Sequence, residues 1–117
     1  ISSISGVLEK PISWEKIIQA CFPMGSMTGA PKLSAMKIID QLEEHKRGAY
    51  SGSLGYIDEK GNGDFNVLIR SVFINPKSKK MKFVVGSAIT IDSNPEEEFD
   101  ECLLKAKAIS DLFNFKL

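Results

Sequence analysis

A chain of 117 residues with 15 Lys+Arg against 15 Asp+Glu, 43% hydrophobic and 26% charged, has the make-up of one ordinary globular domain, with no room for a second. A net formal charge of zero argues against a face built to neutralise nucleic-acid phosphates or anionic lipid, since either task needs a local excess of basic residues. No apolar run reaches the roughly 18 residues that span a bilayer, and the first residues lack a basic-then-apolar secretory pattern, so the expected setting is the cytoplasm without nucleic-acid or membrane partners.

In chain order, Ile1 to Leu8 (ISSISGVL) is rich in β-branched residues and stops at Glu9-Lys10-Pro11, which predicts an opening strand. A strand at the first residue needs a neighbour, so the sequence is expected to continue something longer. Ser13 offers an N-cap hydroxyl and Glu15 a first-turn acid for a short helix, WEKIIQACF, with Trp14, Ile17, Ile18 and Cys21 on one stripe. Phe22 to Ala30 is a Gly/Ser/Thr loop. From Pro31 to Lys46, apolar residues at three-and-four spacing predict a second helix, with His45, Lys46 and Arg47 filling its last turn before Gly48.

Three strands are expected next, Ala49 to Ile57, Asp64 to Ile74 and Met81 to Ile91. The connections Asp58 to Gly63 and Asn75 to Lys80 are too short for crossover helices, which predicts an antiparallel meander. A final helix follows, capped by Ser93 or Asn94, with Pro95 at its start and three glutamates in its first turn. The expected fold class is α+β, a meander sheet packed with helices in the order β-α-α-β-β-β-α, forming one unit over residues 1–117. Cys21 and Cys102 lie far apart in apolar helical patterns without ligand spacing, and read as buried free thiols.

Three places have residues that suit chemistry. On the last helix, Phe99, Cys102, Leu103, Ala106, Ile109 and Phe113 form an apolar stripe, and Glu98, Glu101 and Lys105 form a second stripe about 60° wide along its rim. Two acids three residues apart at such a rim suit a divalent cation with oxygen ligands; the alternative is a solvated acidic turn. Arg70, among the strand residues Asn66, Leu68, Val72 and Ile74, suits a carboxylate held by its fork, either an internal glutamate or a ligand. Gly86-Ser87-Ala88 within the third strand marks either a bulge or a wall where a ligand lies against the backbone.

The loop Gly25 to Lys32 has the wrong spacing for a nucleotide P-loop, leaving a small-anion pocket or a simple capped loop. His45 fits a helix C-terminus and is assigned no chemistry.

In this order the signals resemble the C-terminal segment of the chorismate-utilising enzymes, a family that includes component I of aminodeoxychorismate synthase and of anthranilate synthase, and the isochorismate and salicylate synthases. The resemblance covers nearly the whole chain. It rests on FPMGSMTGAPKLSAMKII (22–39), RGAYSGSLGYID (47–58), Asp64 through Arg70-Ser71, and VGSAITIDSNPEEEFDECLLKAKAI (85–109).

The resemblance implies a C-terminal part of the larger chorismate-enzyme fold, with Mg2+ as cofactor and chorismate as substrate. It implies that Glu101 is a magnesium ligand and Glu98 the acid one turn earlier that supports the metal. Arg70 would grip a chorismate carboxylate, Tyr50 and Lys105 would line the cavity, and Gly86, Ser87 and Ala88 would bring backbone amides to the substrate. Ala88 departs from the family's second glycine, Phe65-Asn66 from its usual small pair, and Ser34 from a common arginine.

The wording GSLGY followed by FNVLIR is closer to the aminodeoxychorismate branch, which takes ammonia from a glutamine amidotransferase subunit or domain; the alternatives are anthranilate synthase component I, an isochorismate or salicylate synthase, or a scaffold domain without chemistry. Family members are several times longer and draw their remaining site residues, including further metal-binding glutamates, from upstream. No catalytic residue is therefore assigned within this chain. The isolated chain is expected to be inactive and, with a sheet edge and apolar faces uncovered, to self-associate.

Overall fold

The structure, a computed structural model, describes residues 3–116. The chain divides into two compact units, Ile1–His45 and Lys46–Leu117. It mixes helix and strand, with two small antiparallel sheets, which is compatible with the α+β class.

In the first unit, residues 3–8 form no strand, and Ile4 and Val7 are 95% and 96% exposed. The expected opening strand fails because an extended segment is stabilised only by a neighbour that accepts and donates along its edge; its first two residues lie outside the described ones. Helix α1 (Trp14–Cys21) forms where expected, its first turn held by the Ser13 hydroxyl, which accepts from the Lys16 amide at 3.5 Å. A single turn, α2 (Gly25–Thr28), follows; the Thr28 hydroxyl donates to the Met24 carbonyl at 3.0 Å and the Lys32 ammonium to the Cys21 carbonyl at 3.4 Å. The Thr28 hydroxyl and the Lys32 ammonium are thus spent on backbone carbonyls.

Helix α3 (Lys32–Leu42) ends well short of the expected boundary at Lys46. Glu43 and Glu44 follow Leu42, and acids are unfavourable against the negative end of a helix dipole, so the helix stops before them. Gly48 does adopt a left-handed φ of 62°, but in the turn leading into the second unit's first strand rather than as a helix cap.

The second unit opens with β1 (Ser53–Ile57) paired antiparallel to β2 (Gly63–Val67), with Gly55 opposite Phe65. Asp58 organises the connection: its carboxylate accepts from the Lys60 amide at 2.9 Å, the Asn62 amide at 2.8 Å and the Asn62 side chain at 2.8 Å. The second hairpin joins β3 (Val72–Asn75) to β4 (Lys80–Phe83), with Val72 opposite Phe83.

The single meander is therefore replaced by two separate two-stranded sheets. The expected strand 64–74 breaks at a corner in which the Ile69 amide donates to the Val67 carbonyl at 3.0 Å, the Ser71 hydroxyl to the Ile69 carbonyl at 2.9 Å, and Arg70 takes a left-handed φ of 52°. The expected strand 81–91 ends at Phe83, where β3 runs out of partner residues.

Helix α4 (Pro95–Phe113) is capped by Asn94, whose side chain accepts from the Glu96 amide at 2.9 Å, with Pro95 in its first turn. At its far end Asn114 turns left-handed, and Phe115 stacks on Phe83 with ring centroids 5.8 Å apart. The apolar stripe is only partly covered: Ala106 and Ile109 are buried, whereas Phe99 is 63% exposed. Both cysteines are free, but Cys21 is exposed and Cys102 half-buried rather than buried, because α1 and α4 lack a deep layer above them. Among the described residues no helix is long and apolar enough to cross a membrane.

Candidate functional site

The site grows out of the N-terminal half of α4 and the non-ladder segment 84–93 beside it. Once β4 ends, residues 84–90 carry no strand hydrogen bonds, and Gly86 and Ser87 bond to side chains of the helix. Glu98 and Glu101 are one turn apart and project toward the same point, the half-buried Ser87. The Ser87 hydroxyl approaches Glu98 Oε2 and Glu101 Oε2, the latter at 2.8 Å.

The other oxygen of each carboxylate is tied elsewhere. Glu101 Oε1 meets the Lys105 ammonium at 2.6 Å, an i,i+4 pair with the lysine side chain 31% and the glutamate side chain 50% exposed. Glu98 Oε1 accepts from the Ser93 hydroxyl at 3.1 Å. Each acid is thus tethered through one oxygen, and the other faces the Ser87 hydroxyl.

The electrostatics follow from these contacts. The Lys105 hydrogen bond, then that from Ser87, and then the Lys105 charge hold the Glu101 carboxyl below the usual carboxylate range. Its partnership with Glu101 lifts Lys105 above the ordinary lysine value, against the opposing effect of desolvation. Lys105 also donates to the Gly86 carbonyl at 3.0 Å, which ties the helix to the segment after β4. Gly86 leaves room for Tyr50: a Cβ there would lie 2.6 Å from the Tyr50 hydroxyl oxygen.

These contacts bring Tyr50, Gly86, Ser87, Glu98, Glu101 and Lys105 into one cluster. Ala88 follows Ser87 but is exposed. Arg70, expected inside a strand among apolar neighbours, is instead an exposed corner residue that makes no hydrogen bond or ion pair with another described residue. The internal-glutamate alternative therefore does not apply among the described residues.

For two hydroxyls the role of the side chain was not legible. Ser87 is singled out in the sequence for a backbone role, yet its side chain is the meeting point of the acids. Ser93 competes with Asn94 for the cap, yet the cap goes to Asn94 and Ser93 goes to Glu98. The signal for Ser93 was present in its spacing: it precedes the cap residue and faces the fourth helical residue, the pair of positions that packs together across a helix start.

The donor set suits a divalent cation of the Mg2+ type. A hydroxyl has one hydrogen, so Ser87 answers only one of the two carboxylates at a time, and the other lies oxygen to oxygen against it, a condition that a cation relieves. Among the described residues no group of three or more His, Cys, Asp and Glu is gathered. Mg2+ asks for no such cage, since it is commonly held by one or two carboxylates and keeps several waters.

The sequence profile of the chorismate binding enzymes matches residues 1–111. The chain belongs to this family. Its relatives include a chloroplastic aminodeoxychorismate synthase of Arabidopsis thaliana, 44% identical over 108 residues, covering 92% of this chain and 12% of the relative. An anthranilate synthase component 1 of Saccharolobus solfataricus is 41% identical over 109 residues, covering 93% of this chain and 25% of the relative. An aminodeoxychorismate synthase of Streptomyces pristinaespiralis is 40% identical over 107 residues, covering 92% of this chain and 15% of the relative. The chain thus spans at most a quarter of the length of these three relatives.

Proposed function

We propose that this chain supplies the acidic side of a chorismate site in an enzyme of the aminodeoxychorismate synthase type, which makes 4-amino-4-deoxychorismate from chorismate and ammonia. The observation that supports it is the convergence of Glu98 and Glu101 on Ser87, where one oxygen of each faces a hydroxyl that has a single hydrogen to give. Glu98 and Glu101 would hold Mg2+ through those oxygens. An ion held there would supply Lewis acidity toward the substrate's ring carboxylate, which would ease loss of the C4 hydroxyl.

The chain's own groups do the rest of the positioning. Lys105 keeps Glu101 ionised and fixes its direction, and its ammonium adds positive charge beside a dianionic substrate. Arg70, without an internal partner, is available to a substrate carboxylate through its planar fork. Tyr50 closes over Gly86 at the edge of the same cluster. Ammonia would come from a glutamine amidotransferase subunit or domain, in the cytoplasm.

The branch rests on the wording GSLGY and FNVLIR. Its test is genetic: the whole protein carrying this chain restores growth of a p-aminobenzoate auxotroph and leaves a tryptophan auxotroph unrescued, and the reverse pattern assigns it to the anthranilate branch. For the site, calorimetry of the 117-residue chain should show magnesium binding that is lost in Glu101→Ala, with chorismate binding strengthened by the metal. An unchanged isotherm in the variant would remove the metal assignment.

The isolated chain, holding only part of the site, should not turn over chorismate. It should also self-associate, because side chains such as Ile91 at 98% and Leu112 at 76% exposure favour burial against another apolar surface. A single monomeric species in sedimentation across micromolar concentrations would contradict the second expectation.

A further inference from the structure

The two oxygens that face Ser87 are alike, but the groups that tether the other oxygen of each acid are not. Glu101 is held by a cation on its own helix, and Glu98 by a neutral hydroxyl from the segment before it. Hydrogen accounting fixes the direction of that second tether. The Ser93 oxygen accepts from the Thr90 amide at 3.0 Å and lies 3.2 Å from the Thr90 hydroxyl. A carboxylate can only accept, so the Ser93 hydrogen goes to Glu98 Oε1 and the Thr90 hydroxyl donates to Ser93. Each site on the Ser93 oxygen is then used, and the chain Thr90 to Ser93 to Glu98 points one way.

Position adds a reason for this arrangement. Ser93 immediately precedes the Asn94 cap and Glu98 is the fourth residue of α4, the two positions that ordinarily hold an apolar pair fixing how the chain enters a helix. Here a polar pair occupies them, so the contact that sets the entry angle of α4 also aims a carboxylate. Helix capping does not depend on it, because Asn94 performs that task.

We propose that Ser93, supported by Thr90, is the positioning residue that holds Glu98 Oε1 and so keeps Oε2 on the Ser87 side, as Lys105 does for Glu101, so that the pair binds a divalent cation there with one oxygen from each acid. The proposal rests on the metal reading of Glu98 and Glu101. Without the tether, the Glu98 carboxylate is free to rotate about its last bond and to take up water with both oxygens, and the cation meets an acid that must be ordered at the moment of binding. Partners of this kind around metal ligands typically contribute about 10–100-fold in affinity.

The test uses Mn2+ as the probe on the 117-residue chain, following free Mn2+ by electron paramagnetic resonance, with amide exchange at Thr90 read in parallel. Ser93→Ala should weaken Mn2+ binding about tenfold or more and speed Thr90 amide exchange, with helix content unchanged. Ser93→Thr, which keeps the hydroxyl, should restore most of the affinity, and Thr90→Val should give a smaller loss. Wild-type Mn2+ affinity in Ser93→Ala, with Thr90 exchange accelerated, would overturn the proposal while leaving the metal reading standing. No Mn2+ binding by the unsubstituted chain would remove the metal reading, and the proposal with it.

Discussion

The turn of α4 that carries Glu98, Glu101 and Lys105 and the corner that carries Arg70 lie in the same unit, yet they treat charge in opposite ways. At the helix each carboxylate is met by a donor within the chain, Lys105 for Glu101 and Ser93 for Glu98, and the single Ser87 hydrogen answers one of the two oxygens that face it. At the corner a guanidinium sits on a left-handed residue, exposed, with no answering group among the described residues. Helical spacing assembles one of them before any ligand arrives. The corner holds an unanswered charge that only something outside the chain's described residues can meet.

The largest effect should separate the two. Glu101→Gln should lower magnesium affinity about tenfold or more, because it removes a presented oxygen's charge and the Lys105 pair together. Arg70→Gln should leave magnesium affinity unchanged while weakening chorismate binding. Calorimetry with each ligand checks both, and a magnesium loss in Arg70→Gln equal to that in Glu101→Gln would break the distinction.

The next effect is on stability and concerns the corner alone. Arg70→Val places a β-branched residue at a φ of 52° and should cost about 1–2 kcal/mol in denaturant unfolding, whereas Arg70→Gly should fold normally. If valine is accepted without loss, the corner is not held in the left-handed region.

A smaller change tests the wall behind the acids. Gly86→Ala brings a methyl to 2.6 Å from the Tyr50 hydroxyl, and since the obstacle is the far end of a side chain, the phenol should swing aside for about 1 kcal/mol. Its ring resonances should then shift while those of Tyr56 stay in place.

The smallest effect lies in the first hairpin, where Asp58 shows what a tethered acid does without any ligand. The Asn62 side chain and amide, followed by the Lys60 and Gly61 amides, hold its carboxyl below the usual carboxylate range. A depressed folded value means stabilisation that is present above the unfolded carboxylate range and is lost as pH falls through the folded value. Asp58→Asn should therefore lower stability slightly at neutral pH, flatten the acid limb of the curve, and leave stability nearly the same below the folded carboxyl's range.

Much of this was legible where local chemistry decides structure. Ser13, Asn94 and Pro95 mark helix starts, and the short connections at Asp58 and Asn75 mark hairpins, because caps and turns are satisfied within a few residues. Glu98 and Glu101 were legible as a pair because helical periodicity puts them on one side. What failed depended on distant partners. The corner at Arg70 interrupts a run of strand-forming residues, and the segment after Phe83 finds no strand to join; neither is encoded in alternation alone. Ser87 lies 14 residues from Glu101, so no period within one element could place its hydroxyl between the acids.

The central claim is that Glu98 and Glu101 act as one divalent-cation site rather than as part of a solvated acidic turn. Carboxyl carbon resonances followed during a magnesium titration test it most directly, since Glu96, Glu97 and Asp100 on the same helix serve as controls. The account predicts that Glu98 and Glu101 shift together with a single midpoint while the control acids barely move. Equal, weak, unsaturated shifts across all five would contradict it.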